Sequence, residues 1–241
     1  MTAADGAKDI TSRLTELGEG LTAVRRRIAV ACESAGRDPG EVSLIAVTKT
    51  FPAADVRLLS SLGVRDVGEN RDAEAAPKAA QCADLPLTWH FIGQLQTNKC
   101  ASVVGYAHVV HSVDRVRLVR ALGERARKAG RVITCLVQVS LDGDPDRGGV
   151  TESGIPALAE AVAAEDGLLL GGVMAMAPAE LPPAEAFAPL PRIAAAVRQI
   201  RPEAGTVSAG MSGDLEDAIR AGATHVRVGT ALLGDRPAFV R

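Results

Sequence analysis

The chain has 241 residues, of which 47% are hydrophobic and 23% are charged, so it can bury one large core. Its net charge of -2 and its scattered lysines and arginines exclude a basic nucleic-acid-binding surface, and the one basic cluster, Arg25 to Arg27, is interpreted as a solvated helix face. The 4 cysteines have no metal-binding spacing and no segment can span a bilayer, which predicts free thiols, no bound metal and a soluble, cytoplasmic protein.

The first predicted element is an amphipathic helix. Apolar residues recur every three or four positions from Ile10 to Cys32, which is the period of one helical face. We expect a helix over about 8–35. The turn residues between Gly36 and Gly40 end it and lead into the first strand.

After this helix, strands and helices alternate. Helices are predicted near 53–62, 71–83, 98–106, 114–129, 153–165, 185–200 and 214–221. The strands that they connect are predicted at 42–50, 65–70, 87–93, 107–113, 132–141, 168–176, 206–212 and 224–232. Such alternation implies a parallel sheet, and about eight repeats in roughly 200 residues are typical of an α/β protein with a closed (β/α)8 TIM barrel.

We therefore expect residues 1–241 to form a single barrel domain, with the barrel over about 42–232 and an extra helix before it. A doubly wound open sheet is the alternative. It is disfavoured because no GxGxxG motif follows the first strand.

The loop after the fifth strand carries acidic residues at alternate positions, Asp142, Asp144 and Asp146, as calcium loops do. Arg147 and Ser153 stand where such a loop needs glycine and glutamate, so we predict no calcium site. The loop is interpreted as a mobile segment at the barrel mouth.

Two basic residues are predicted at the site. The first strand, VSLIAVTKT, ends near Lys49, at the edge where TIM barrels carry their active sites. In the last strand, alternation places Arg227 opposite in direction to Val226 and Val228, and hence inside the barrel. A buried guanidinium needs a partner, either a ligand or a carboxylate such as Glu69.

The loops after the last two strands are candidate phosphate sites. One contains Ser212 within AGMSG at the start of a predicted helix, and the other contains Gly229 and Thr230. Small residues at such turns let backbone N–H groups and hydroxyls converge on an anion. Each turn has the alternative interpretation of a simple tight turn.

Together these residues describe a ligand with an aldehyde, a ring nitrogen and a phosphate, as in pyridoxal 5′-phosphate (PLP). A lysine amine condenses with an aldehyde, an arginine binds a ring nitrogen and the two turns accept a phosphate. A cofactor-free aldolase, in which Lys49 attacks a sugar phosphate directly, is a competing interpretation.

Several motifs spread over the chain from residue 42 onward resemble the pyridoxal phosphate homeostasis protein family. They include VTKTFPAADV, WHFIGQLQTNK, SAGMSGDLEDAI and THVRVGTALLG. The family's fold is similar to the N-terminal barrel of alanine racemases, fold type III among PLP proteins. The resemblance implies a Schiff base on Lys49, Arg227 at the pyridine nitrogen, Asn70 near the ring, and phosphate binding by Ser212, Gly229 and Thr230.

The resemblance also implies a role in intracellular vitamin B6 homeostasis, without catalytic turnover. Racemisation needs acid and base groups on both faces of the substrate, and in racemases one comes from a second domain. The sole tyrosine, Tyr106, precedes the fourth strand and is predicted at the opposite end of the barrel. The alternative is a PLP-dependent racemase or lyase completed by a partner. Otherwise we expect a monomer that contacts PLP-dependent enzymes transiently.

The histidines receive weaker predictions. His90 is expected close behind the site, and His225 on the same inward face as Arg227 but deeper. His108 and His111 are interpreted as structural side chains with satisfied hydrogen bonds.

Overall fold

The computed structural model describes residues 3–143 and 148–235. The mobile loop predicted after the fifth strand falls largely on 144–147, which lie outside the described residues. In the described part of the chain, no helix is long and apolar enough to cross a membrane and no cluster of side chains is arranged to hold a metal ion.

Eight parallel strands form the sheet: β1 (Ser43–Val47), β2 (Asp66–Glu69), β3 (Thr88–Phe91), β4 (Val109–Val113), β5 (Ile133–Val139), β6 (Leu168–Ala175), β7 (Thr206–Ser208) and β8 (His225–Val228). Each strand pairs with the next in chain order, and β8 pairs with β1, with Ile45 opposite Arg227. This closure confirms the predicted (β/α)8 barrel and excludes the open sheet.

The α-helices of the described residues are α1 (Ala3–Ser34), α2 (Ala53–Ser61), α3 (Asp72–Gln81), α4 (Cys100–Tyr106), α5 (Val116–Lys128), α6 (Ile155–Ala163), α7 (Pro183–Phe187), α8 (Leu190–Ile200), α9 (Leu215–Arg220) and α10 (Thr230–Leu233). The single helix predicted at 185–200 is wrong, since α7 and α8 are separate. Pro189 and Pro191 explain the break, because proline is tolerated at the start of a helix but not in its interior.

Three predicted strands, 42–50, 206–212 and 224–232, extend past the observed ends of β1, β7 and β8. The residues beyond those ends form turns or helix. Thr50 has a φ of 70°, which no strand allows, and α10 begins at Thr230. The predicted site residues that follow these strands therefore lie on the rim of the barrel rather than within the sheet.

Helix α1 packs one apolar face against the barrel, as its periodicity predicts. Leu17, Leu21 and Val24 are at most 3% exposed and join an apolar cluster with residues of α9, α10 and β8. The prediction fails for Ile10, which is 59% exposed, because the packed face begins only at Leu17.

Arg27 corrects the interpretation of the basic cluster. Its Nε and Nη2 atoms donate to the Glu216 carboxylate at 2.7 and 2.9 Å, and its Nη1 donates to the carbonyl of Ser212 at 2.9 Å. Arg25 and Arg26 are exposed, as expected. The half-buried Arg27 therefore fastens α1 to the loop that follows β7.

The barrel interior is partly polar. His111 on β4 hydrogen-bonds Ser208 on β7 at 3.0 Å, and since these strands are not neighbours, the contact crosses the interior. Val226 and Val228 of β8 face the helices, in the same apolar cluster as Leu17. TIM barrels usually fill their interior with branched apolar side chains, so these polar groups require an explanation.

A pair of glycines in α1 tests how closely this helix approaches the barrel. A Cβ atom at Gly20 would overlap the backbone carbonyl of Leu232, whereas one at Gly18 would lie 3.9 Å from the Leu62 side chain, an ordinary contact. We expect Gly20→Ala to destabilise the protein by about 1–3 kcal/mol, because overpacking outweighs the helical preference of alanine.

Gly18→Ala is the matched control on the same helix. It should leave stability unchanged or raise it by up to about 1 kcal/mol, since only the backbone entropy of glycine is removed. Urea unfolding followed by circular dichroism measures both variants. Equal effects of the two substitutions would contradict the close approach of α1 to α10.

Candidate functional site

A cavity of about 340 Å³ opens at the C-terminal ends of the strands. This is within the size range of small-molecule sites. Its lining includes five of the six predicted site residues: Lys49, Asn70, Arg227, Gly229 and Thr230. The structure therefore brings together residues that are separated by up to 181 positions in sequence, from 49 to 230.

Lys49 lies two residues beyond β1, on the turn that leads to α2. The next residue, Thr50, has a φ of 70°, an uncommon conformation for a β-branched residue. Its backbone N–H donates to Glu74 Oε2 at 3.2 Å, which helps to hold the turn. Strained backbone of this kind clusters at functional sites, and here it directly follows the candidate reactive lysine.

Asn70 follows β2 and lies against the end of the next strand. A Cβ atom at Gly93 would overlap the backbone carbonyl of Asn70, so only glycine lets the two turns approach this closely. Gly93 itself lines the cavity. The position of Asn70 thus depends on the absence of a side chain after β3.

Arg227 is 4% exposed and points into the barrel, as alternation along β8 predicts. Its Nη1 donates to Ser208 Oγ at 2.6 Å and its Nη2 to the carbonyl of Ala175 at 3.0 Å. The alternative salt bridge to Glu69 is wrong. Burial lowers the pKa of Arg227 to about 10, with the charge of Asp214 acting in the opposite direction, so the guanidinium stays cationic at neutral pH.

The two candidate phosphate turns adjoin each other. Gly229 and Thr230 line the cavity at the start of α10. Ser212 is not among the lining residues, but its Oγ accepts a hydrogen bond from the Ala231 N–H at 3.2 Å. Ser212 therefore joins the loop after β7 to α10 at the edge of the cavity.

Glu69 is fully buried and forms its ion pair with Lys78 rather than with Arg227. Its Oε1 atom accepts hydrogen bonds from Lys78 Nζ at 2.5 Å and from Thr48 Oγ1 at 2.7 Å. Lys78 Nζ also donates to the carbonyl of Thr48 at 2.8 Å. Burial raises the pKa of Glu69, against the opposing effects of Lys78 and Thr48. The pair fixes the backbone immediately before Lys49.

The histidines occupy defined places in or beside the sheet. His90 contacts Asp66 at 3.0 Å and His111 at 2.9 Å, inside the barrel behind Arg227. Burial lowers the pKa of His225 to about 4, with the Asp66 carboxylate acting in the opposite direction. His108 accepts a hydrogen bond from the backbone N–H of Trp89, which fits its structural interpretation.

Several lining residues have no role assigned from the sequence. Gln138 is the penultimate residue of β5, and Met174 and Met176 lie at the end of β6. Their places at strand ends were the available signal. The others are Val47, which ends β1, and Ile92, Gln94 and Met211, which follow β3 and β7.

The fold and the cavity define a class of protein: a (β/α)8 barrel with a lysine after its first strand and a buried arginine on its last. The family model of the alanine racemase N-terminal domain matches residues 20–237, so the chain belongs to that domain family. Curated relatives narrow the assignment. A Mycobacterium tuberculosis protein is 44% identical, with 93% of this chain and 94% of the relative covered. A Pseudomonas aeruginosa protein is 41% identical, with 92% and 97% covered.

Both relatives are named pyridoxal phosphate homeostasis protein, and the chain belongs to that family. The structure of PipY from Synechococcus elongatus with PLP bound is similar at a TM-score of 0.79 and 36% identity, covering 90% of this chain and all of PipY. Alanine racemase from Corynebacterium glutamicum shares the fold, at a TM-score of 0.65 and 18% identity. The match covers 92% of this chain but only 63% of that racemase.

The buried ion pair beside Lys49 yields a stability prediction. We expect Lys78→Met to destabilise the protein by about 3–5 kcal/mol, because the Glu69 carboxylate would remain buried without its countercharge. The double variant Glu69→Gln with Lys78→Met should be less destabilised than Lys78→Met alone, since neither charge remains.

Urea unfolding of the wild type, of the single variants Glu69→Gln and Lys78→Met, and of the double variant measures this cycle. The exposed Lys99 provides a control, because Lys99→Met should change stability by no more than about 0.5 kcal/mol. A Lys78→Met effect as small as that control, or strictly additive single effects, would show that the pair is not coupled.

Proposed function

We propose that this protein binds PLP in the cavity at the barrel mouth, with Lys49 as the attachment residue, and serves in intracellular PLP homeostasis. The observation that carries the proposal is the arrangement of Lys49 and Arg227 around one cavity. Arg227 is buried, cationic and bound only to neutral acceptors among its hydrogen-bond partners, so it can still attract an acceptor on a ligand.

The residues fit the chemical groups of PLP. When bound, PLP supplies an aldehyde that forms a reversible Schiff base with a lysine amine. Arg227 would donate to the ring nitrogen, and Asn70 would lie beside the ring. Gly229 and Thr230 would hold the phosphate, with Ser212 contributing from the adjoining loop.

The relatives support this assignment. The PipY structure was solved with PLP bound, and 36% identity over 90% of this chain makes it a close guide to the ligand. The curated relatives are named for PLP homeostasis rather than for a reaction. We extend both properties to this chain because its lysine, its arginine and both small-residue turns meet at the barrel mouth.

We further propose that the protein holds PLP without catalytic turnover. Among the described residues that line the cavity, the titratable side chains are Lys49 and Arg227, whereas racemisation needs acid and base groups on both faces of a substrate. Tyr106 lies outside the barrel against Trp89, with ring centroids 6.5 Å apart. An arginine also disfavours protonation of the ring nitrogen that it binds, which opposes carbanion chemistry.

The setting proposed for this function is the cytoplasm. The four cysteines are all buried thiols without a disulfide, which suits a reducing compartment. We propose a monomer that meets PLP-dependent enzymes transiently as the simplest form of such a carrier.

Covalent attachment at Lys49 tests the proposed function directly. With the purified full-length protein and added PLP, we expect a visible absorbance band that borohydride fixes covalently to Lys49, because reduction converts a Schiff base into a stable amine. Lys49→Ala should lose this attachment, and Lys99→Ala should retain it, since Lys99 is an exposed lysine outside the cavity.

Mass spectrometry of the reduced proteins measures the site of attachment. Labelling at Lys49 in the wild type and none in Lys49→Ala is the expected result. A colourless protein that PLP cannot reconstitute would contradict the cofactor assignment and favour a cofactor-free aldolase, which sugar phosphates trapped by borohydride would reveal.

The second prediction concerns turnover. Incubated with a panel of L- and D-amino acids, the PLP-loaded protein should racemise or cleave them no faster than free PLP at the same concentration. Chiral chromatography of the products measures this. Turnover that exceeds free PLP and disappears in Lys49→Ala would instead establish a racemase or lyase.

A further inference from the structure

A chain of hydrogen bonds crosses the barrel from its N-terminal end to Arg227. Asp66 Oδ1 lies 3.0 Å from His90 Nε2, and His90 Nδ1 lies 2.9 Å from His111 Nε2. His111 Nδ1 lies 3.0 Å from Ser208 Oγ, which accepts from Arg227 Nη1 at 2.6 Å. We call Asp66, His90, His111 and Ser208 the interior relay.

The chemistry of the two ends fixes the donors there. A guanidinium can only donate, so Ser208 Oγ accepts from Arg227, and the same oxygen is hydrogen-bonded to His111 Nδ1. An ionised carboxylate can only accept, so His90 Nε2–H donates to Asp66. The hydrogen bond between His90 Nδ1 and His111 Nε2 joins the two halves, so the interior relay is continuous from Asp66 to Arg227.

The surroundings favour this arrangement. The side chains of His111 and Ser208 are fully buried, so no solvent competes for their hydrogen bonds. Burial holds the pKa of His111 well below its ordinary value, and the charge of Arg227 lowers it further, which keeps the ring neutral. Burial raises the pKa of Asp66, but the interactions of its carboxylate with His90, His225 and Thr88 together outweigh burial and lower the pKa, so the carboxylate is ionised.

We propose that the interior relay positions Arg227 for the ring nitrogen of the ligand. Ser208 Oγ and the Ala175 carbonyl each take one nitrogen of the guanidinium, which fixes its plane at the cavity wall. The hydrogen bond to His111 fixes the rotamer of Ser208, and the rest of the interior relay holds His111 in place. These four residues are positioning residues, since none of them lines the cavity.

This inference rests on the proposed function, and two probes separate a failure of PLP binding from a failure of the interior relay to position Arg227. The first probe is PLP and the second is its carbocyclic analogue, in which C–H replaces the ring nitrogen while the aldehyde and phosphate remain. The ratio of the two affinities reports the contact of Arg227 with the nitrogen. A general loss of folding or packing would weaken both probes equally.

The decisive variant is Ser208→Ala, which removes the link to Arg227. We expect it to weaken PLP binding about tenfold while changing the analogue by less than about twofold, the scale of one charge-assisted hydrogen bond. Arg227→Ala should give the same selective loss, and adding Ser208→Ala to it should produce no further loss in the ratio.

Two more variants keep the test independent of folding at Ser208. Asp66→Asn acts at the far end, where the side chain is 29% exposed, and should reduce the ratio because an amide can donate as well as accept and so holds His90 less firmly than a carboxylate. Thr224→Val is the matched control. It deletes a hydroxyl just before β8 that hydrogen-bonds Val207 and His225 but no member of the interior relay, and the ratio should stay at the wild-type value.

The outcomes separate the two claims. A wild type that binds neither probe would overturn the proposed function, and the role of the interior relay with it. A wild type that prefers PLP, together with Ser208→Ala and Asp66→Asn variants that keep this preference, would overturn the interior relay alone. A selective loss in both variants but not in Thr224→Val would establish it.

Discussion

The parallel ladder between β1 and β8 joins the first and last strands of the barrel, with Ile45 opposite Arg227. Because Lys49 follows β1 and Arg227 lies on β8, this single ladder places the two basic residues of the site around one cavity. Helix α1 reinforces the same seam. Arg13 donates to Asp55 at the start of α2 and to the carbonyl of Leu233 in α10, so one helix holds both sides of the closure.

Two buried cations near the mouth are stabilised in different ways. Lys78 contacts the Glu69 carboxylate directly, so the two opposite charges largely neutralise each other. Arg227 instead donates to a hydroxyl and a backbone carbonyl, neither of which carries a charge. A cation held by neutral acceptors keeps more of its attraction for a further acceptor than one neutralised by a carboxylate. Lys78 is therefore suited to a structural role beside the turn at Lys49, and Arg227 is suited to ligand binding.

The sequence allowed the barrel to be predicted because buried parallel strands have apolar residues on both faces and alternate with helices. Alternation along β8 also predicted the inward direction of Arg227 correctly. Its partner was predicted wrongly, because periodicity shows which face a side chain takes but not which inward residue it meets across the barrel. The contact of Arg27 with the loop after β7 was missed for the same reason, since its residues are 185 positions apart.

The unusual features of the barrel follow a line from Asp66 to Lys49. Outside that line, and apart from the buried pair of Glu69 and Lys78, the sheet and its helices pack through an apolar layer. Along it lie buried histidines, a buried arginine that donates to a hydroxyl and a backbone carbonyl, and the turn at Thr50 with a φ of 70°. Each of these costs stability relative to apolar packing or relaxed backbone. Their concentration on one path that ends in the cavity indicates that the polar interior exists for the site rather than for the fold.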